Sequence, residues 1–115
     1  MVHHEPEEML IYNTTFHVDG DRYLSAFLTY MRDIYYPAVT GKGYLKNPRL
    51  VRLLADVGEG LIGYALMCEV DDIQTLKKWK NEIGRTLESN FYDHFGQKIL
   101  MFSTAMQDVT SKVKN

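Results

Sequence analysis

The chain has 115 residues, of which 45% are hydrophobic and 24% charged. These proportions indicate one globular domain with its own core and exclude an intrinsically disordered protein. The formal net charge of −2 argues against a dedicated nucleic-acid-binding protein, because such proteins need basic residues to neutralise phosphates. No apolar run reaches the roughly 18 residues of a transmembrane helix, and a single cysteine excludes an internal disulfide, so we expect a cytoplasmic protein without a membrane partner.

Residues 1–8 are polar and acidic. They have neither the basic region nor the apolar core of a signal peptide, so we expect a disordered tail. His3, His4, Glu7 and Glu8 are metal-ligand types, but a solvated tail does not preorganise them. We therefore predict no metal site.

The first strand is predicted from Leu10 to Val18, because its apolar residues alternate. One face carries Leu10, Tyr12, Thr14, Phe16 and Val18, and the other carries Ile11, Asn13, Thr15 and His17. The turn Asp19-Gly20-Asp21 follows.

From Arg22 the apolar period is that of a helix. The predicted inner stripe is Leu24, Phe27, Leu28, Met31, Ile34 and Tyr35. We expect Pro37 to end or kink the helix near Tyr36, because proline lacks the N–H that a helix needs. A loop containing Gly41, Gly43 and Pro48 should come next.

Two further strands, Leu50–Val57 and Ile62–Val70, are predicted to form a hairpin around Gly58-Glu59-Gly60. We expect Val57 to pair with Ile62. A slip by one residue would turn Arg52 and Asp56 into the apolar layer, which is costly.

A second helix is predicted from Ile73 to Phe95, capped by Asp71 and Asp72. Its inner stripe is Leu76, Trp79, Ile83, Leu87, Phe91 and Phe95. Gly84 should split or bend the helix, and Gly96 should end it. The last strand is predicted over Ile99–Met106, followed by a polar tail over residues 107–115.

This order predicts an α+β, ferredoxin-like βαββαβ domain over residues 9–106. Its four-stranded antiparallel sheet should carry both helices on one face. The other face would present Ile11, Asn13, Thr15, His17, Leu50, Arg52, Leu54, Gly63, Ala65, Met67 and Glu69. The last strand should add Ile99, Met101, Ser103 and Ala105, although its pattern also fits the opposite assignment. Such an apolar surface indicates an interface, so we predict a homodimer.

The polar members of that face are the candidate site residues. Asn13, His17 and Arg52 are weak candidates for a catalytic site, with His17 as acid or base and Arg52 as anion holder. Thr15, Met67 and Glu69 complete a candidate ligand-binding site or dimer interface. In the alternative interpretation, Arg52 and Glu69 form an ion pair and Asn13 and His17 are satisfied interface groups.

Other residues are expected to be structural. Cys68 should be a buried, unreactive thiol. Trp79 and His94 would lie about 22 Å apart along a straight helix, too far for one haem site. Lys77, Lys78, Lys80 and Arg85 should form a solvated helix face. No cofactor is predicted.

Two functions that use this topology were compared with the sequence. An acylphosphatase needs a phosphate-binding loop after the first strand, where Asp19 and Asp21 would repel phosphate. RNA recognition would need exposed aromatic residues, and exposing Tyr12 and Tyr64 would turn Asn13 and Glu69 towards the helices. We therefore reject an acylphosphatase and keep an RNA-binding sheet surface as the least favoured alternative.

Three segments resemble a small bacterial family of domains of unknown function. They are Ile11-Tyr12-Asn13-Thr14-Thr15-Phe16-His17, Asn47-Pro48-Arg49-Leu50 with Arg52, and Tyr64-Ala65-Leu66 running to Glu69-Val70. The resemblance covers most of the chain and implies a fold similar to the dimeric α+β barrels, which supports a homodimer. It implies no activity and no functional residues. The wider superfamily includes cofactor-free monooxygenases, haem enzymes and ligand sensors, among which fold alone does not choose.

The leading hypothesis is a homodimeric α+β barrel protein that binds a small molecule or a protein partner. The competing hypothesis is a cofactor-independent oxygenase or isomerase that uses Asn13, His17 and Arg52 in one cavity. The sequence leaves open whether the protein is an enzyme.

Overall fold

The computed structural model describes residues 9–114, and the predictions for residues 1–8 lie outside that range. The strands are β1 (Leu10–Asp19), β2 (Lys46–Leu53), β3 (Leu61–Val70) and β4 (Leu100–Gln107). The first helical region comprises α1 (Leu24–Tyr30), a π turn (Met31–Tyr35) and α2 (Tyr36–Val39). The second comprises α3 (Ile73–Trp79), a π turn (Lys80–Gly84) and α4 (Arg85–Phe95).

The strands form one antiparallel sheet in the order β2-β3-β1-β4. This is the ferredoxin-like α+β fold that the sequence predicts, with both helical regions on one face. β1 lies between β3 and β4, and its predicted inner face is confirmed. The Phe16 ring packs against Phe27, Tyr35 and Phe91 at centroid distances of 5.1, 5.7 and 5.4 Å. The core therefore lies between β1 and the helices.

The first helical region differs from its prediction. Its buried residues are Phe27, Tyr30, Met31, Tyr35 and Val39, whereas Leu28 and Ile34 are exposed. A π turn contains more residues per turn than an α-helix. Tyr35, four residues after the buried Met31, therefore faces the sheet, whereas Ile34, three residues after it, does not. The helix also continues past Tyr36 to Val39. Pro37 is tolerated because it lies in the first turn of α2, directly after the π turn.

The β2 prediction is wrong in both its bounds and its register. The strand ends at Leu53, residues 54–60 connect it to β3, and Pro48 lies within it. Leu53 pairs with Gly63 and Arg52 with Tyr64. Arg52 and Leu50 therefore share the helix side of the sheet, while Arg49, Val51 and Leu53 face the other way.

The position of β2 in the sheet explains this error. β2 is an edge strand, and Arg52 is exposed there although it lies on the helix side of the sheet. A charge on the inner face thus carries little desolvation penalty. The strand also has a register shift between Lys46 and Arg49, with Asn47 at a positive φ of 53°. Regular alternation does not predict such a bulge.

The second helical region matches its prediction in outline. The Asp72 side chain accepts a hydrogen bond from the Thr75 N–H at 2.7 Å, so Asp72 is the N-cap. Leu76, Trp79, Leu87, Phe91 and Phe95 are buried, and Ile83 is half-buried. The π turn ends at Gly84, and Gly96 ends α4 with a φ of 61°.

The face assigned to β4 is corrected. His17 pairs with Leu100 and Thr15 with Phe102, so the even-numbered residues of β4 face away from the helices. Ile99 and Met101 instead enter the core, and Ser103 and Ala105 lie on the helix side. The pattern was ambiguous because serine and threonine occupy both faces of this strand. Within residues 9–114, no helix is long and apolar enough to cross a membrane.

Candidate functional site

The sheet face opposite the helices, here called the open face, is largely apolar as predicted, although β2 and β4 contribute different residues to it. It consists of Arg49, Val51 and Leu53 of β2, Leu61, Gly63, Ala65, Met67 and Glu69 of β3, Ile11, Asn13, Thr15 and His17 of β1, and Leu100, Phe102, Thr104 and Met106 of β4. Leu100 is 55% exposed and Phe102 46%. Within residues 9–114 no helix covers this face.

The structure separates the three weak catalytic candidates. Asn13 and His17 lie on the open face, but Arg52 lies on the other side of the sheet. The predicted pairing of Arg52 with Glu69 is also wrong, since Glu69 accepts a hydrogen bond from the Asn47 side chain. The oxygenase or isomerase hypothesis required all three side chains in one cavity, and this geometry does not provide it.

The remaining open-face candidates do lie together. The Asn13 amide donates to Thr15 Oγ1 at 3.1 Å, and the His17 ring packs edge-on against Phe102 at 5.7 Å. Met67 pairs with Asn13 across β1 and β3. Asn13 Oδ1 is buried, and within residues 9–114 nothing donates a hydrogen bond to it. A buried acceptor left unpaired costs about 1–3 kcal/mol, so a donor on a molecule packed against the open face would stabilise this side chain.

A cleft of about 510 Å³ opens on the helix side, between β1 and β4 and the second helical region. This helix-side cleft is lined by Tyr12, Tyr35, Lys77, Trp79, Lys80, Asn81, Gly84, Arg85, Glu88, Met101 and Ser103. It forms because the second helical region leaves the helix side of β4 partly uncovered, so that Ser103 and Ala105 are exposed.

The inner wall of the cleft is aromatic. Trp79 is buried, and its indole N–H donates to the Val39 carbonyl at 2.8 Å, which fixes the ring. The Tyr12 ring lies 5.2 Å from Trp79, and Lys80 Nζ lies 5.5 Å from the centre of the Tyr12 ring. These contacts place an apolar, planar surface beneath a cation.

Hydroxyl groups line the sheet side. Thr14 Oγ1 and Ser103 Oγ share a hydrogen bond of 2.9 Å between β1 and β4. Burial strongly raises the pKa of the Tyr35 phenol, while a hydrogen bond with Thr14 lowers it by less. Tyr35 is therefore a neutral hydroxyl at the back of the cleft.

Sequence reasoning missed this cleft. It assigned Lys77, Lys80 and Arg85 to a solvated face, and they are indeed exposed, but they also line one wall. These three residues are three and five positions apart on the helix that carries Trp79, and this spacing was the sequence feature that indicated a shared surface. The contributions of Tyr12 and Ser103 depend on strand pairing, which composition does not reveal.

The other candidate residues are structural in this fold. Burial raises the pKa of the Cys68 thiol to about 11, so it is a weak nucleophile. His94 stacks on Tyr30 at 4.8 Å and does not line the cleft that contains Trp79. No group of three or more potential metal ligands occurs in the described part of the chain.

Comparison with protein families identifies a match over most of the chain. A family model described as "Domain of unknown function (DUF4286)" matches residues 9–109. The comparison with curated proteins found no match.

Solved structures share the fold at low sequence identity. A DABB family protein with a ferredoxin-like fold from Mesorhizobium loti is 7% identical, with a TM-score of 0.65 over 90% of this chain and 99% of that one. A NIPSNAP family protein from Agrobacterium tumefaciens is 11% identical, with a TM-score of 0.61 over 93% and 94%. A dimeric ferredoxin-like protein from an uncultured marine organism is 13% identical, with a TM-score of 0.51 over 90% and 97%. These similarities concern the fold alone.

Proposed function

The chain belongs to the DUF4286 family of domains of unknown function, and we propose that it acts as a homodimer in which each protomer binds a small molecule. The main support for the dimer is the exposed apolar surface of the open face. Its exposed side chains include Leu61, Leu100, Phe102 and Met106, at 39–55% exposure. A contiguous apolar patch of this kind is characteristic of an interface.

The area of the open face suits a second copy of the chain. Strands of 8 to 10 residues, spaced about 4.8 Å apart, give a face of roughly 500–600 Å². Two such faces would bury roughly 1,000–1,200 Å², the lower end of specific protein interfaces. A twofold axis through this surface places the same residues on both sides, which closes the assembly at two subunits.

Two further observations support the dimer. Asn13 Oδ1 needs a donor, which a second sheet packed on the open face would supply from side chains such as Thr104 or Asn13 itself. One structure with this fold, from an uncultured marine organism, is described as a dimeric ferredoxin-like protein. We further propose a cytoplasmic location, since Cys68 is free and buried.

The helix-side cleft supports the small-molecule function. Its volume of about 510 Å³ lies within the range of roughly 300–1,000 Å³ that is typical of ligand sites. It lies on the opposite side of the sheet from the open face, so a dimer would leave it accessible. A small-molecule ligand therefore suits this surface better than a protein partner.

Sedimentation equilibrium at micromolar concentration tests the dimer. We predict that the wild type sediments at twice the chain mass, while Phe102→Glu raises the dimer dissociation constant roughly a hundredfold or more because it buries an unpaired charge. Phe102 is 46% exposed in the isolated chain, so this variant should fold.

Leu28→Glu is the matched control, because Leu28 is 40% exposed on a helix instead. It should leave the dimer unchanged. A monomeric wild type, or equal dissociation by both variants, would contradict the proposed interface.

A further inference from the structure

The cations of the helix-side cleft form no ion pair with any side chain of residues 9–114. Lys77, Lys80 and Arg85 line its helical wall together with one carboxylate, Glu88. The ion pairs formed within residues 9–114 are Arg32–Asp33, Lys42–Glu82 and Lys46–Asp71, none of which involves a residue of the cleft. The wall thus has an excess of two positive charges, available to a negatively charged ligand.

The other lining residues of the cleft determine the shape and polarity of the uncharged part of that ligand. The half-buried Tyr12 ring lines the cleft and packs at 5.2 Å on the buried Trp79, and the buried Met101 side chain also lines this wall. Flat, apolar groups pack well on such surfaces. The Ser103 hydroxyl, which shares a hydrogen bond with the buried Thr14, adds a polar contact on the sheet side.

From this arrangement we infer that the cleft binds a small carboxylate whose body is planar and aromatic or unsaturated. This inference rests on the proposed small-molecule function and names its ligand class. Arg85 and Lys80 hold the carboxylate by charge-assisted hydrogen bonds, and the ring of the ligand packs against Tyr12, which rests on the buried Trp79. Phosphate has no planar body to pack against Tyr12, so only the exposed positive charges would hold it, and water and salt screen these.

The test uses two probes of the same shape, cinnamate and its neutral amide, cinnamamide. Trp79 is the only tryptophan, so its single indole N–H resonance in the NMR spectrum reports occupancy of the cleft, while calorimetry gives the affinity. We expect cinnamate to shift this resonance and to bind roughly tenfold more tightly than cinnamamide, because only the acid is charged. Inorganic phosphate at the same concentration should not shift the resonance.

Two variants locate the anion. Lys80→Gln combined with Arg85→Gln should reduce the affinity for cinnamate to that for cinnamamide and leave cinnamamide binding unchanged. Lys78→Gln is the matched control, since Lys78 is an exposed neighbour that does not line the cleft. It should change neither affinity.

Each failure has a distinct meaning. Equal binding of both probes, or tighter binding of cinnamamide, would overturn the inferred ligand class and leave the small-molecule function standing. A shift of the indole resonance by phosphate alone would replace the carboxylate by an inorganic anion. If no probe shifts the resonance at millimolar concentration, both the ligand class and the proposed use of the cleft are wrong.

Discussion

Gly84 has ordinary helical dihedral angles, φ −61° and ψ −43°, so its backbone does not require glycine. The requirement comes from Trp79, five positions earlier. A Cβ atom at position 84 would lie 2.6 Å from Cζ3 of the indole. The π turn brings these two residues together. The indole cannot move away, because it is buried and its N–H donates a hydrogen bond to the Val39 carbonyl.

Gly84→Ala should therefore destabilise the protein, by about 1–3 kcal/mol as expected for overpacking. At an exposed helix position the same change would stabilise by roughly 1 kcal/mol, so the sign of the effect is diagnostic. Urea unfolding measures it. Thr86→Ala, an exposed change in the same helix, should stay within about 0.5 kcal/mol of wild type. A more stable Gly84→Ala protein would show that the indole yields easily.

At the scale of elements, the N-terminus of α3 depends on Asp72. Its carboxylate accepts a hydrogen bond from the Thr75 N–H, and this bond is the largest cause that lowers the pKa of Asp72 below its usual 3.8. A carboxyl whose pKa is lower in the folded state stabilises the fold above the unfolded pKa. This contribution is lost as the pH falls through the folded pKa.

Asp72→Asn keeps a capping side chain but removes the titrating group. We predict that it is less stable than wild type at neutral pH and that the difference shrinks as the pH falls from about 4 towards the folded pKa. Urea unfolding at neutral and acidic pH checks this. Thr86→Ala, which removes no titrating group, should show no such trend. A difference independent of pH would mean that the charge of Asp72 is not what caps the helix.

The elements also show where sequence patterns were sufficient. The apolar residues of β1 alternate clearly, because β1 lies in the middle of the sheet and its inner face packs against the helices. The ends of the second helical region were also predicted correctly, from Asp72 and Gly96. The edge strand β2 was assigned the wrong face because exposure at the edge removes the penalty on Arg52. The helix-side cleft escaped prediction because Tyr12, Trp79 and Ser103 meet only through strand pairing and the π turn.

At the scale of the whole molecule, the two faces of the sheet have separate roles in this account. Odd-numbered residues of β1 and even-numbered residues of β4 lie on the open face, the proposed dimer interface, while Tyr12, Met101 and Ser103 of the same strands line the cleft. Phe102→Glu should thus release monomers that still bind cinnamate, with an affinity within about twofold of the dimer's since no cleft residue changes. Calorimetry on the variant checks this separation. A complete loss of binding would show that the cleft is completed by the partner.

The most direct test of the central claim is an isotope-filtered NMR experiment on a mixture of labelled and unlabelled chains, which detects contacts between protomers only. Face-to-face packing predicts intermolecular contacts from the Phe102 ring to methyl groups of the open face, such as those of Met67 and Leu53. Contacts arising instead from exposed helix residues such as Leu28 and Ile34 would contradict it, because the dimer would then form through the opposite side of the molecule.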